Sequence, residues 1–263
     1  MKPNLRTYGS PPFDVVVLHG GPGAAGGLAS LAQSLSIRHG VVEPLQRASS
    51  IAGQLRELKT VLENNANPPV TLIGHSWGAW LGYLFAAERT SLIKKLIMVG
   101  SGAFEEQYAA ATQKTRFSRL SERDRKEVDR LLKIFKKGST DSSNRDFARL
   151  GELFSKVDTY DPLPQQELDV EVDIDIYKQV WKEATALRRS GKLVEMSKQI
   201  NTSVVAIHGD YDSHPYEAVQ SPLSGVLENF RFILLPNCGH KPWIERQARA
   251  TFFEVLEREL SSS

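Results

Sequence analysis

The sequence predicts an α/β protein with a mostly parallel sheet of about six strands and helices on both faces. Short β-branched runs alternate with longer helical stretches, which is typical of parallel strands joined by crossover helices. The chain has 263 residues, 41% of them hydrophobic, and this is enough for one large core. The alternation stops after the fourth predicted strand and is replaced by about a hundred charged, helix-forming residues, which predicts an insertion into the sheet domain.

Each predicted strand is a short apolar run bounded by turn residues. The strands are Asp14–Leu18, Gly40–Glu43, Val70–Ile73, Lys95–Val99, Ser203–His208 and Arg231–Leu235. The core helices are predicted at Leu28–Ser36, Ser50–Glu63, Trp77–Glu88, Glu217–Glu228 and Trp243–Leu260. Residues 1–101 and 202–263 therefore form the predicted core domain, and residues 102–201 a mostly helical lid.

Composition excludes several classes of function. The 33 basic and 31 acidic residues nearly balance, so neither a nucleic acid nor a membrane surface is expected as a partner. The amino terminus has no apolar run long enough for a signal peptide, and no apolar segment reaches the roughly 20 residues of a membrane span, which predicts a cytoplasmic protein. The single cysteine, Cys238, precludes an internal disulfide, and the six scattered histidines have no metal-ligand spacing. No cofactor and no metal are predicted.

The most informative motif is Gly74-His75-Ser76-Trp77-Gly78, which lies between a predicted strand and a predicted helix. In that context G-x-S-x-G forms a sharp turn that exposes the serine hydroxyl at the amino end of the helix. A side chain at either glycine would strike the neighbouring strand or helix. Ser76 is therefore the predicted nucleophile.

A serine nucleophile requires a base and an acid that orients the base. His240 follows the sixth predicted strand and is assigned as the general base, with Asp212 after the fifth strand as the acid. Both loops lie at the carboxyl ends of parallel strands, where active-site residues gather. Asp210 is the alternative acid, because two residues shift a carboxylate by one alternation of an extended loop. His208 and His214 are interpreted as a packing residue and a loop residue.

The glycine-rich stretch after the first predicted strand has two interpretations. Gly21–Gly26 fits G-x-G-x-x-G, with Glu43 twenty residues after Gly23, as in a dinucleotide-binding turn. Alternatively, the backbone N–H of Gly21 joins that of Trp77 in an oxyanion hole for a serine hydrolase. The second interpretation is favoured because a dinucleotide site leaves the predicted serine, histidine and aspartate without a role.

Three motifs resemble the α/β-hydrolase fold and, within it, the proline iminopeptidase branch. They are His19-Gly20-Gly21-Pro22-Gly23, Gly74-His75-Ser76-Trp77-Gly78 and Cys238-Gly239-His240-Lys241-Pro242-Trp243. The resemblance implies a catalytic triad of Ser76, Asp212 and His240 with Gly21 and Trp77 as the oxyanion hole. It covers the core at both ends of the chain and not the lid.

The sequence departs from that branch in two places. The loop after the second predicted strand, Glu43 to Ser50, lacks the Asp-Gln-Arg-Gly type of stretch and leads almost directly into a helix. The first predicted strand begins as early as Asp14, so the antiparallel pair that commonly opens the fold is expected to be lost or vestigial.

Two segments of the lid bear on the substrate. Strict alternation in Leu168–Ile176 would place the carboxylates of Asp169, Glu171, Asp173 and Asp175 on one face if the segment were extended. Lid carboxylates hold the substrate amine in the resembled branch, but a solvated acidic edge is the favoured interpretation. The segment Arg116 to Lys137 has the apolar spacing of an amphipathic helix, whose stripe is expected to roof the pocket.

The sequence thus predicts a cofactor-independent serine hydrolase that cleaves an ester or amide through an acyl-enzyme. The first choice of substrate is a short peptide, as for an aminopeptidase, and the alternative is a small-molecule ester. A hypothesis from another class is a ligand-binding protein that retains the triad without turnover. Cys238 is interpreted as a packing residue rather than a redox group.

Overall fold

The computed structural model describes residues 4–136, 143–164 and 170–261. Within these residues, seven strands form the main sheet in the order β1-β4-β2-β5-β6-β8-β9, and β3 pairs with β7 apart from it. The strands are β1 (Leu5–Tyr8), β2 (Phe13–Leu18), β3 (Ala24–Ala25), β4 (Gly40–Pro44), β5 (Val70–His75), β6 (Ile93–Val99), β7 (Glu171–Val172), β8 (Ser203–Gly209) and β9 (Phe230–Leu235).

The helices connect the strands and cover both faces of the sheet. They are α1 (Ala29–Leu35), α2 (Ile51–Asn65), α3 (Trp77–Glu88), α4 (Ala109–Arg119), α5 (Glu122–Lys136), α6 (Asn144–Asp158), α7 (Ile174–Arg189), α8 (Lys192–Glu195), α9 (Glu217–Ser224) and α10 (Arg249–Ser261). Among the helices of the described residues, none combines the length and the apolar composition that a membrane crossing requires.

The sheet is apolar on both faces because helices bury both of them. Val15 and Val17 of β2 pack in one cluster with residues of α1 and α10. Val16 and Leu18 point the other way, into a cluster with residues of α2, α3 and α9. Parallel strands buried in this way are nearly continuous runs of aliphatic residues, and this is why the sequence located all six of them.

The first strand narrows the expectation that the opening antiparallel pair is lost or vestigial, because one short antiparallel strand is present in the described residues. β1 pairs antiparallel with β4, from Leu5 opposite Pro44 to Tyr8 opposite Val41, while the other neighbours in the main sheet are parallel. The Tyr8 hydroxyl donates to the buried carboxylate of Glu43 at 2.8 Å. Four residues bounded by glycine and proline are too short to give a sequence signal, so only this pairing reveals the strand.

Two predicted helices differ from those of the structure. The segment Arg116 to Lys137 contains the end of α4 and all of α5, separated at Leu120 and Ser121, and Lys137 lies outside the described residues. The helix predicted from Trp243 is a single 3₁₀ turn, Pro242–Ile244, followed by α10. Glu245 causes this break, because its buried side chain accepts hydrogen bonds from backbone groups elsewhere.

Helices α4 to α7 belong to the chain segment that connects β6 to β8. The apolar stripe of α5 packs mainly against α6, in a cluster that includes Val128, Leu131 and Leu153. This stripe therefore builds a small core of its own, and of its members Leu132 reaches the cavity described below. Val180 and Ala184 of α7 belong instead to the main core on the α3 face.

Candidate active site

Ser76 occupies the sharp turn between β5 and α3. Its backbone has φ 52° and ψ −113°, a positive φ that residues other than glycine rarely adopt. The backbone N–H of Ser76 donates to the carbonyl of Val99 on β6 at 2.9 Å, which holds the turn against the sheet. Strained backbone of this kind persists only where its surroundings enforce it, and it is concentrated at functional sites.

The two glycines of the motif are required by close contacts. A Cβ on Gly74 would lie 2.2 Å from the carbonyl oxygen of Gly78, and one on Gly78 would lie 2.0 Å from that of Leu18. Farther along α3, a Cβ on Gly82 would lie 2.8 Å from a methyl carbon of Leu96 on the sheet. The small residues let α3 approach the sheet closely, as the motif predicts.

His240 and Asp212 form a buried hydrogen-bonded pair beside this turn. The Nδ1–H of His240 donates to Asp212 Oδ2 at 2.7 Å, and the two residues lie in the loops after β9 and β8. Asp210, the alternative acid, instead accepts a hydrogen bond from the backbone N–H of Cys238 at 3.2 Å. Gly100 makes room for the pair, since a Cβ there would lie 2.9 Å from Nδ1 of His240.

A second histidine shares the same carboxylate. The backbone N–H and Nδ1–H of His214 both donate to Asp212 Oδ1 at 2.9 Å, and its ring stacks on His240 with centroids 4.5 Å apart. A carboxylate only accepts, so both imidazoles carry their hydrogen on Nδ1 and leave Nε2 as an acceptor. Nε2 of His208 lies 3.3 Å from the other carboxylate oxygen.

The surroundings lower the pKa values of both Asp212 and His214, but for different reasons. Burial alone would raise the pKa of Asp212, but the nearby His240, His214 and His208 outweigh burial and hold it well below its usual value. Burial lowers the pKa of His214 to about 4. The acid is therefore ionised and His214 neutral at pH 7.

The loop that carries His240 is anchored to the end of α6. The backbone N–H of His240 donates to the carbonyl of Asp158 at 2.8 Å, and the Asp158 carboxylate accepts from Nε of Arg116 at 2.9 and 3.0 Å. Glu245 accepts from the backbone N–H groups of Gly239 and Tyr160, both at 2.9 Å. Helices of the 102–201 segment thus hold the backbone of His240 in place.

The glycine-rich turn after β2 lies against Ser76. A Cβ on Gly20 would lie 3.0 Å from the Cβ of Ser76, and Gly21 beside it has φ 65°. Trp77, the other predicted oxyanion donor, is the first residue of α3 and is buried. The turn and the helix start therefore flank the serine from two sides.

The contacts of Gly23 and Glu43 disfavour the dinucleotide interpretation of the glycine-rich turn. A Cβ on Gly23 would lie 2.1 Å from the carbonyl oxygen of Asp173, so protein backbone occupies the position where a pyrophosphate would approach. Glu43 is fully buried and accepts from the hydroxyl of Tyr8 and, at 3.0 Å, from the backbone N–H of Leu28. It is not available to a ribose.

The acidic run is extended in its described part only up to Asp173, after which α7 begins, and its described members do not line the cavity. Glu171 pairs with Arg47, with oxygen–nitrogen distances of 2.7 and 3.0 Å. Asp173 caps α7 by accepting from two backbone N–H groups of its first turn, at 2.9 and 3.0 Å. Asp175 is exposed, and Asp169 lies outside the described residues.

A cavity of about 280 Å³ opens beside Ser76. Its walls come from the start of α3, from α4 and from α7, and it also contains His214. Three aromatic rings form one face: Trp80 stacks on Trp181 at 5.9 Å, and Trp181 stacks on Tyr177 at 6.1 Å. This size is near the lower end of the roughly 300–1,000 Å³ that is typical of ligand pockets.

Three side chains of the two types, carboxylate and imidazole, that also bind zinc meet here. One ligand atom each of Asp212, His214 and His240 lies within 4.8 Å of the others. Both imidazoles direct Nδ1 at the carboxylate, so a metal at this point would have to displace the hydrogens of those two bonds. The hydrogen-bonded pair is the arrangement that the geometry favours.

Cys238 is a packing residue of the α1 and α10 face. Its side chain is fully buried in that core cluster. Burial raises the pKa of the thiol, which disfavours the reactive thiolate. This agrees with the interpretation made from the sequence.

Sequence reasoning missed two members of the site. The sequence predicts His214 only as a loop residue, although its spacing of two residues from Asp212 lets that carboxylate accept from the backbone N–H at i+2. Arg188 lines the cavity, and no local pattern distinguishes it from the neighbouring Arg189. Only the packing of α7 on the core determines which of the two arginines faces inward.

Comparisons with known proteins identify relatives of the fold. Solved structures that resemble the chain include VinJ, with a TM-score of 0.70, 19% identity and 97% of this chain and 93% of that chain covered. An esterase from Exiguobacterium antarcticum has a TM-score of 0.67 and 17% identity, with 98% and 95% covered. Proline iminopeptidase of Mycobacterium smegmatis has a TM-score of 0.63 and 18% identity, with 97% and 93% covered.

At these identities the likeness shows the fold. A comparison with curated proteins finds no match. The alpha/beta hydrolase family matches residues 3–255, which is nearly the whole chain. The chain belongs to the alpha/beta hydrolase family.

Proposed function

We propose that this protein is a serine hydrolase that cleaves a small ester through a covalent acyl-enzyme. The observation that carries the proposal is the strained turn at Ser76 beside the buried His240–Asp212 pair, with the ring of His75 in that turn 4.5 Å from the ring of His240. Ser76 Oγ attacks the carbonyl carbon while its proton moves to Nε2 of His240. Asp212 holds the imidazole in the tautomer that leaves Nε2 free to accept.

His240 acts next as an acid and then again as a base. Collapse of the tetrahedral intermediate breaks the bond to the alcohol, which takes the proton from Nε2 of His240. Water then attacks the acyl-enzyme with the same base, and this releases the acid and restores Ser76. We assign the backbone N–H groups of Gly21 and Trp77 to the oxyanion that forms in both steps.

The cavity supports an ester rather than an aminopeptidase substrate. Among its lining residues in the described part of the chain, none is aspartate or glutamate, so no described carboxylate is offered to a free amine. Asp158 and Glu106, which contact the arginines of the cavity wall, are held in ion pairs with them. We further propose that residues 102–201 act as the lid over this cavity, since α4 and α7 supply two of its walls.

A fluorophosphonate probe tests the proposal directly. We expect a phosphonate adduct on Ser76 of the native protein, located by peptide mass spectrometry, and its loss in Ser76→Ala and His240→Ala. The matched control is Ser101→Ala, which removes another buried hydroxyl at the carboxyl end of a strand and should keep the label. A folded protein that never reacts at Ser76 would support the non-catalytic ligand-binding alternative.

Turnover separates the two substrate classes. We expect hydrolysis of p-nitrophenyl acetate or butyrate and none of the p-nitroanilides of proline and alanine. Rapid release of nitroaniline from the aminoacyl substrates would overturn the preference for an ester and would favour the hypothesis of an aminopeptidase.

A further inference from the structure

The cavity wall contains a largely buried cation, Arg188, near the end of α7. Its side chain is 10% exposed, and its Nε donates to Glu106 Oε2 at 2.8 Å. The guanidinium carbon lies 5.9 Å from the centre of the Trp80 ring, within the range of a cation–π contact. Within the described residues, neither Nη atom has a hydrogen-bond partner. The guanidinium is thus held in place through one edge.

The uncompensated charge of this wall is positive. Glu106 is shared, since it also accepts from Nε of Arg189 at 3.2 Å, so two guanidinium groups face one carboxylate. The other arginine of the cavity, Arg116, is neutralised by Asp158. A charge removed from water interacts more strongly with an opposite charge than a solvated one does, and burying it is costly until such a partner arrives.

The geometry of the Arg188 Nη groups and of the rings beside them indicates which anion fits the cavity. A guanidinium presents planar N–H groups that match the two oxygens of a carboxylate. The rings of Trp80 and Trp181, stacked with 12° between their planes, offer an apolar face to a short carbon chain. Ser76 and Arg188 line the same cavity of about 280 Å³, so a small molecule bound there lies between the proposed nucleophile and the guanidinium.

We infer that Arg188 anchors a carboxylate of the substrate, so that the protein prefers esters of small dicarboxylic acids to neutral esters. This inference rests on the proposed function and specifies its substrate class. It also explains why the cavity contains two arginines and, among its described lining residues, no acid.

Matched esters test the inference. The probes are the monomethyl esters of succinate, glutarate and adipate, and methyl 5-methylhexanoate is the neutral analogue of the glutarate ester. Acid release followed by pH-stat gives kcat/KM. We expect the best monoanion to exceed the neutral ester by about 10-fold or more.

Variants locate the effect at one side chain. Arg188→Gln should lower kcat/KM for the monoanion by about 10- to 100-fold and leave the neutral ester within about twofold. Arg188→Lys should fall between the two, because it keeps the charge and loses the planar fork. Arg189→Gln is the matched control: it removes a neighbouring charge that binds the same Glu106 but is 66% exposed, and it should change neither substrate.

A wild-type protein without the preference, or an Arg188→Gln variant that loses both substrates equally, would overturn the inference. Quenching of tryptophan fluorescence by glutarate provides a readout that needs no turnover. Wild type should bind it at least about 10-fold more tightly than Arg188→Gln. If Ser76 reacts with the fluorophosphonate but none of the three free diacids binds, this inference fails while the proposed function stands. If Ser76 does not react, the proposed function fails, and the glutarate titration alone decides whether Arg188 binds carboxylates.

Discussion

Replacing Ser76 by glycine should make the protein more stable while abolishing its proposed activity. The residue has φ 52° and ψ −113°, a conformation that costs a residue with a Cβ roughly 1–3 kcal/mol. Its side chain makes no capping hydrogen bond to α3, so removing the hydroxyl sacrifices no such bond. Glycine adopts this backbone without strain.

The gain is reduced because glycine has more freedom in the unfolded chain. That freedom costs about 0.5–1 kcal/mol, so the net stabilisation of Ser76→Gly relative to Ser76→Ala should be about 0.5–2 kcal/mol. The alanine variant is the matched reference because it also lacks the hydroxyl but keeps the Cβ and its strain. For a domain of 150–250 residues, each kcal/mol raises Tm by about 2–4 °C.

Thermal and urea unfolding of both variants, followed by circular dichroism, measures the difference. Both variants should lose fluorophosphonate labelling, and the glycine variant should unfold at the higher temperature. A glycine variant that is no more stable than the alanine variant would refute the argument that the turn stores backbone strain.

The remaining predictions concern packing and protonation. Gly78→Ala should destabilise the protein by about 3 kcal/mol or prevent folding. Gly151→Ala in α6, where the new Cβ would meet no neighbouring group within 4 Å, should stabilise it by about 0.5–1 kcal/mol, and urea unfolding distinguishes the two. Burial lowers the pKa of His19 to about 4, so the unfolded chain takes up a proton below pH 6.5 that the folded protein refuses. Stability should therefore fall between pH 6.5 and about 4, by up to about 3 kcal/mol from this group, and His19→Gln should flatten that slope. Asp212→Asn should lower kcat by about 10⁴-fold, and a small effect would contradict its assignment as the orienting acid. His214→Phe removes one hydrogen bond to Asp212, which should strengthen the attraction of that carboxylate for the protonated base and shift the acid limb of kcat/KM to higher pH; an unshifted limb would mean that His214 serves packing alone.

Local patterns were sufficient for the core because the same residues determine local structure and burial. Helix α3 was predicted with the bounds that the structure has, and each of the six parallel strands was found within two residues at either end. Strands buried on both faces need aliphatic runs. The turn at Ser76 needs its glycines, because a Cβ at either position would lie only 2.0 to 2.2 Å from a backbone oxygen. Both requirements determine the residue types at adjacent positions of the chain, so a local pattern shows them.

Segments whose structure depends on distant partners were predicted less well. β1 exists because it pairs with β4, and the helix predicted at Trp243 is interrupted because Glu245 turns inward to bind backbone groups near Tyr160. The acidic run has helix-capping and ion-paired roles that its alternating pattern does not express. In each case the deciding contact is remote in sequence, so no local window contains it.

The sequence by itself determined the fold class, and it located the proposed nucleophile Ser76, the proposed base His240 and two candidate acids, since motif spacing and chain order are local information. The tertiary structure decided that Asp212 rather than Asp210 meets His240, that His214 joins them and that Arg188 rather than Arg189 faces the cavity. These choices depend on where loops and helices from distant parts of the chain come together, and one step along a helix already turns a side chain by about 100°.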